Sequence, residues 1–188
     1  MYESSEWKDS PWITLDPEGW APLTEGRTPA QYRKKAILFH QEDAADAVFI
    51  VKSGRLRITS YQEDGAEKQL YIAEKGAMVG ESSCLTGAAH QSSAVAIVDS
   101  LVWKVPAAEL RETMERDWQL TQRVISLLCR KNDVFYRQIL DLSFKQATHR
   151  IASQLLNLCR QYGKEHEKGV RISIHFTQQD IAGIVNAS

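Results

Sequence analysis

Hydrophobic positions change their period twice along the chain. From Ala36 to Val105 they fall in short runs rich in β-branched and aromatic residues: Ala36 to Phe39, Val48 to Val51, Leu56 to Tyr61, Gln69 to Ala73, Ala94 to Val98 and Leu101 to Val105. Within Arg55-Leu56-Arg57-Ile58-Thr59 polar and apolar residues alternate, the period of a strand with one buried face. Gly54, Gly65 and Gly76 lie 11 residues apart, each near a strand end, and Glu63-Asp64-Gly65 suits a hairpin turn because glycine tolerates positive φ. Such evenly spaced short strands predict a closed or sandwich-like antiparallel β unit over 36–105. The preceding residues, 1–35, hold Trp7, Trp12, Trp20, Pro11, Pro17, Pro22 and Pro29 but sustain neither period, which predicts an irregular arm.

A helical period takes over at Pro106, a residue suited to a first helical turn, and runs to Phe144 with no further Pro and no Gly, predicting one helix over 106–144. Trp118, Thr121, Ile125, Leu128, Asn132, Phe135, Ile139 and Leu142 recur in steps of three and four, a heptad seam. Two readings of the seam stand side by side. It zips two parallel copies of the chain into a homodimer, with Asn132 meeting its twin to fix register, or it packs the helix on its own β unit. Beyond it, 145–188 carries an amphipathic segment (Ile151, Leu155, Leu156, Leu158), a strand-like Val170 to His175, and a capped helix onset at Thr177 with Asp180 in its first turn.

Charge alters this picture modestly. The 188 residues are 43% hydrophobic and 25% charged, enough for one sizeable core, and the formal net charge is −1. Residues 145–188 nevertheless hold six Lys or Arg against three Asp or Glu, so a basic end joins an acidic body and points to a polyanion partner. No apolar run reaches membrane-spanning length and no leader-like segment opens the chain, so a cytoplasmic protein without a membrane partner is expected. Cys84, Cys129 and Cys159 are odd in number and far apart, which fits neither a disulfide framework nor a zinc site; ordinary thiols are the plainer reading, redox sensing the other.

Three stretches, in order, resemble the CRP/FNR family of bacterial transcription regulators. Val79-Gly80-Glu81-Ser82-Ser83 resembles the start of the phosphate-binding cassette in the family's β-roll. Leu142-Ser143-Phe144-Lys145 with Thr148-His149-Arg150-Ile151-Ala152 and Leu155-Leu156-Asn157-Leu158 resembles the joint between dimer helix and DNA-binding domain, and Phe176-Thr177-Gln178-Gln179-Asp180-Ile181-Ala182 resembles the first helix of its helix-turn-helix. The resemblance implies an α+β chain: an antiparallel, jelly-roll-like β-roll of the cyclic-nucleotide-binding type, a long dimerisation helix and the start of a winged helix-turn-helix domain. It also implies DNA contacts by Thr177, Gln178, Gln179 and Ser188, uncharged donors suited to phosphate oxygens. A recognition helix would begin near Ser188, so a truncated regulator without specific DNA affinity is the expectation for these residues.

The resemblance places effector contacts at Gly80, Glu81, Ser82, His90, Gln91, Ser92, Phe135 and Tyr136. Cyclic-AMP-binding relatives carry an Arg about eleven residues after the Gly of the Gly-Glu pair; here the count lands on Gln91, or on His90 one residue earlier, and neither offers a guanidinium fork. Glu81 would contact ribose, or is a solvated turn residue. Phe135 and Tyr136 replace small hydroxyl residues and would crowd a purine, although Phe135 is also a seam residue. An effector other than cyclic AMP follows, a small aromatic of the kind sensed by the family's halophenol-responsive branch. No cofactor and no metal are expected: residues 1–83 lack the cysteines of an iron–sulfur sensor, and although His40, His90 and Cys84 could be put forward as haem ligands, a lone histidine is more often a hydrogen-bonded structural residue.

No nucleophile elbow, Walker loop or His-carboxylate cluster argues for an enzyme. The expected function is a homodimeric regulator in which an effector repositions the DNA-binding domains, with a hinge near Asp141 to Phe144. The alternative is a stand-alone cyclic-nucleotide-binding-like module that acts on a protein partner, against which the helix onset at Thr177 argues.

Overall fold

Strand-forming residues build two facing sheets. The computed structural model describes residues 12–167, 169–174 and 178–185. One sheet has the order β1-β6-β5-β8-β3, from Trp12–Ile13, Glu67–Ala73, Leu56–Tyr61, Ser93–Ala96 and Ile37–Phe39; the other has the order β2-β9-β4-β7, from Ala30–Tyr32, Ser100–Pro106, Ala47–Ser53 and Met78–Val79. All pairings in these two sheets are antiparallel except β1 on β6. The hairpin expected at Glu63-Asp64-Gly65 joins β5 to β6, with Gly65 at φ 84°. Strand β4 reads Ala-Val-Phe-Ile-Val without alternation and is buried from Ala47 to Val51. Its outer face is covered by α2 (Glu81–Thr86) and α3 (Ala107–Arg116), so both faces demand apolar side chains.

The arm is not irregular. Its described part contains β1, a 3-10 turn at Pro17–Trp20, α1 (Ala21–Thr24) and β2, and it buries Trp12, Ile13, Trp20 and Leu23. Trp20 has specific partners that no period reveals. The Trp20 indole donates to the Gly76 carbonyl at 2.7 Å and carries the Arg123 guanidinium over its ring at 4.7 Å. Arg123 also donates to the Asp16 carbonyl, and Arg130 to the Thr14 carbonyl at 2.8 Å. Arg27 grips both carboxylate oxygens of Glu109, at 2.6 and 2.7 Å. Gly76 is required here: it sits at φ +79°, and a Cβ would stand 1.9 Å from the Leu15 carbonyl oxygen.

The helix expected over 106–144 is two helices, α3 and α4 (Trp118–Phe144), parted at Asp117, whose backbone is extended. Neither Pro nor Gly makes the break. The Asp117 carboxylate accepts from Leu120 N–H at 3.0 Å and so caps α4, while the Thr121 hydroxyl donates to the Met114 carbonyl at 2.6 Å and holds the corner.

The chain divides into two compact units, one Trp12–Asn132, the other including Asp133–Ser188. In the second, α5 (Ala147–Tyr162), the hairpin of β10 (Gly163–His166) and β11 (Gly169–Ile172), and α6 (Gln178–Val185) follow in order. α5 packs against the hairpin and α6, and Arg150 Nε donates to the Val185 carbonyl at 2.8 Å. Among the described residues no helix is long and apolar enough to cross a membrane.

Because Trp20 is fully buried and hydrogen-bonded, Trp20→Ala is expected to cost about 3–5 kcal/mol. Urea unfolding of the variant beside the wild type measures this, and a cost under about 1 kcal/mol would mean the arm does not belong to the core.

Candidate functional site

Gly80 ends β7 and adopts φ 85°, a turn that sets Glu81 at the start of α2 with its side chain directed inward. Glu81 is 1% exposed, so it is not a solvated turn residue. Its Oε1 accepts from Lys131 Nζ at 2.7 Å and from the Ser82 hydroxyl at 3.2 Å. Lys131, on α4 and 4% exposed, also donates to the Met78 carbonyl at 2.9 Å and stands 5.0 Å from the centre of the Tyr71 ring. Burial alone would lower the pKa of the ammonium, but the Glu81 carboxylate and the Tyr71 hydroxyl outweigh it and leave Lys131 raised, so it is charged at neutral pH. Burial also raises the Tyr71 phenol, which keeps it protonated.

His90 is buried beside Gly80, where a Cβ would meet His90 Cε1 at 3.0 Å, and its ring stacks on Phe39 at 3.8 Å between centroids. Burial lowers its pKa, with Asp43, Asp46 and Glu81 opposing, so the imidazole tends to be neutral. Gln91 is exposed and Ser92 half-buried in the turn that enters β8; Ser82 is exposed. The structure therefore gathers Gly80, Glu81 and His90, and leaves Ser82 and Gln91 at the surface. Phe135 is half-buried and Tyr136 61% exposed; both belong to the second compact unit. Of the DNA-contact residues, Gln178 and Gln179 open α6, whereas Thr177 and Ser188 lie outside the described residues.

Among the interior polar residues that escaped the sequence reading are Thr59, Gln69, Tyr71 and Lys131. Lys131 had a signal. Leu120, Val124, Leu127, Lys131 and Val134 are the buried residues of α4, a second stripe in steps of three and four, offset from the seam. Burial, followed by Glu81, pushes the Cys84 thiol up to about 11, so it stays a protonated core thiol. Among the described residues, no group of three or more His, Cys, Asp or Glu side chains gathers as a metal site.

Residues 29–117 match the cyclic nucleotide-binding domain family. Along most of its length the chain is similar to CRP-like transcription regulators. It is 26% identical over 174 residues to the CRP-like cAMP-activated global transcriptional regulator of Mycobacterium tuberculosis, covering 93% of this chain and 78% of that protein. A CooA mutant from Carboxydothermus hydrogenoformans shares the fold with TM-score 0.74 and 20% identity, over 94% of this chain and 83% of that one. CprK complexed with OCPA does so with TM-score 0.72 and 19% identity, over 95% and 82%. The Mycobacterium tuberculosis relative is a transcriptional regulator rather than an enzyme, and the fold is the α+β arrangement expected, an antiparallel β core followed by long helices and a helix-turn-helix region.

Removing Lys131 alone leaves a carboxylate buried without its ion partner, so Lys131→Met is expected to cost about 3–5 kcal/mol, and the double variant Glu81→Gln/Lys131→Met to recover most of it; a double-mutant cycle by urea unfolding reads the coupling. His90 gives a pH test. Its folded pKa lies below the unfolded value of 6.5, so its contribution to stability is complete above that value and is lost as pH falls through the folded pKa. In His90→Phe, the drop in urea midpoint between about pH 7.5 and about pH 5 is expected to shrink.

Proposed function

We propose that the chain works as an effector-responsive DNA-binding transcription regulator of the CRP/FNR type, active in the cytoplasm as a homodimer joined along α4. One observation carries this reading. Helix α4 has two stripes, and only one is buried among the described residues. Leu120, Val124, Leu127 and Lys131 are buried, while the seam residues Trp118, Ile125, Ile139 and Leu142 are 65, 48, 60 and 42% exposed. Packing of the helix on its own β unit therefore does not account for the seam. An exposed apolar line of this length on a helix asks for a partner, and a second α4 in parallel register supplies one, with Asn132 paired to its twin.

The effector is a small molecule held in the roll by the Gly80–Glu81 turn. Several features speak against cyclic AMP. Gln91 is exposed, His90 is stacked on Phe39, and the Lys131 cation is engaged by Glu81, which leaves the nucleotide phosphate without a guanidinium partner. Aromatic character of the effector finds support in the likeness to CprK complexed with OCPA, and in Tyr136 as a surface aromatic on the seam helix. Effector binding shifts the dimer between two arrangements by differential affinity and so moves the DNA-binding parts. The joint between them falls at Lys145 and Gln146, between α4 and α5, just after the Asp141 to Phe144 segment where a hinge is expected. α6, which opens with Gln178 and Gln179, would lie on the phosphate backbone as the first helix of the helix-turn-helix, with Thr177 and Ser188, outside the described residues, as the other expected contacts.

Sedimentation equilibrium tests the dimer. The wild type is expected to associate as two chains, and Ile125→Lys or Ile139→Lys to weaken association at least about tenfold, or about 1.4 kcal/mol. A wild type that remains monomeric at high concentration, or variants that associate equally well, would remove the basis of this function.

A further inference from the structure

Charge is sorted between the two ends of the roll. Strand registers bring Tyr32, Ile37, Leu56, Ala96 and Ser100 to one end, and Phe39, Tyr61, Glu67 and Ser93 to the other. The strand-joining turns at the first end, 33–36, 54–55, 74–77 and 97–99, hold Arg33, Lys34, Lys35, Arg55 and Lys75 against Glu74 and Asp99. Those at the far end, 40–46, 62–66 and 87–92, hold Glu42, Asp43, Asp46, Glu63 and Asp64 and no Lys or Arg. Arg55 lies against Glu74 at 3.9 Å. Arg33, Lys34 and Lys35 are consecutive, exposed and outside every ion pair formed among the described residues. Their turn is fixed at three points. Ala36 N–H donates to the Arg33 carbonyl at 2.9 Å, Lys34 N–H to Asp99 Oδ1 at 2.7 Å, and Lys35 N–H to the Ala96 carbonyl at 2.7 Å. Lys35 stands at φ 75°, a left-handed turn position that ordinarily takes glycine. Among the described residues the other non-glycine in that region is Glu42, at the acidic end. At each end, a side chain of that end's own sign occupies a place the backbone would give to glycine, a strain that the fold itself does not call for.

Three adjacent cations on a fixed turn suit a row of phosphates, which needs charge at a set place and no base reading. A protein surface is the poorer match. Of the large apolar side chains that the roll strands expose, Ile37 alone lies at this end, so the patch lacks the apolar centre of a protein interface. The acidic far end adds orientation, because the polyanion that attracts one pole repels the other. We propose that the Arg33-Lys34-Lys35 turn is a second DNA contact, carried by the roll and separate from the helix-turn-helix region. It grips duplex phosphates without regard to sequence. This rests on the DNA-binding reading above and extends it to the sensory part of the chain.

Fluorescence anisotropy of a labelled duplex of arbitrary sequence tests this on the 188-residue chain, with salt varied between about 50 and 200 mM. The variant Arg33→Gln/Lys34→Gln/Lys35→Gln is expected to bind at least tenfold more weakly at the lower salt and to flatten the slope of log affinity against log salt by about 2–3. A second duplex of different sequence is expected to give the same loss. Lys35→Gly separates lost charge from lost fold. It suits the left-handed backbone, so Tm is expected to stay at or above that of the wild type while the slope flattens by about 1. If the wild type binds the duplex and both variants keep its slope, the proposal is overturned and DNA contact is left to α6. If the wild type binds no duplex at about 50 mM salt, the DNA-binding reading falls with it. Polyglutamate serves as the protein-like probe. Loss of polyglutamate binding in the triple variant, with duplex binding unchanged, would assign the turn to an acidic protein and overturn the proposal.

Discussion

The ion pair between Glu81 and Lys131 fixes more of this molecule than any other contact. It joins the start of α2 to α4 across the roll interior, and both partners are almost wholly buried. An ion pair so placed carries a large desolvation cost, offset only where the remaining polar valences are met. Met78 lends a carbonyl and Tyr71 a π face to the ammonium, and Ser82 lends a hydroxyl to the same carboxylate oxygen. The pair also sets rotation. With Lys131 turned inward, Leu120, Val124 and Leu127 follow on the same stripe, and Trp118, Ile125 and Asn132 must face away. The exposed seam is therefore a geometric consequence of a buried charge.

A second set of cations holds the same helix from another side. Arg123 covers Trp20 and reaches the Asp16 carbonyl, and Arg130 reaches the Thr14 carbonyl, so the arm is bound to α4 by guanidinium groups that combine flat packing with directed donors. Arg27 repeats the arrangement on α3 through Glu109. The arm, the roll and the helix thus share one core, in which the tryptophans supply area and the arginines supply angle.

What could be read from the chain depended on whether a feature repeats. Strands β3 to β6, β8 and β9 announced themselves by runs of β-branched residues, and the β5–β6 hairpin by Asp64-Gly65. β1, β2 and β7 span only two or three residues each, too short for any period, and are placed by partners distant in sequence. The break before α4 escaped because Asp117 makes it by capping rather than by lacking an N–H, a signal weaker than Pro or Gly. At the site, the Gly80–Glu81 turn was legible as a local string. Lys131 was not, because a lysine on a helix is ordinarily solvated, and only the neighbouring Val124 and Leu127 betray that its side of the helix is inside. Thr59 and Gln69 look like the polar half of an alternating strand, yet both are buried, beside a register slip between β5 and β6 that no period reveals.

The Glu81–Lys131 pair ties the Gly80–Glu81 turn to α4. On the proposed effector reading, a ligand that meets Glu81 without displacing Lys131 would strengthen the roll's hold on α4 rather than compete with it. An anion would act in the opposite sense, because it gains most by drawing Lys131 away from Glu81 and thereby loosening the helix. The sign of the response is thus set by whether the ligand adds to the Glu81–Lys131 pair or divides it. Since the seam lies on the helix that Lys131 orients, either change would, in the proposed dimer, alter the rotation at which two seams meet. Only the difference in ligand affinity between the two rotations can drive the switch. In the proposed dimer, the strength of one buried ion pair would therefore limit how far an effector can move the equilibrium.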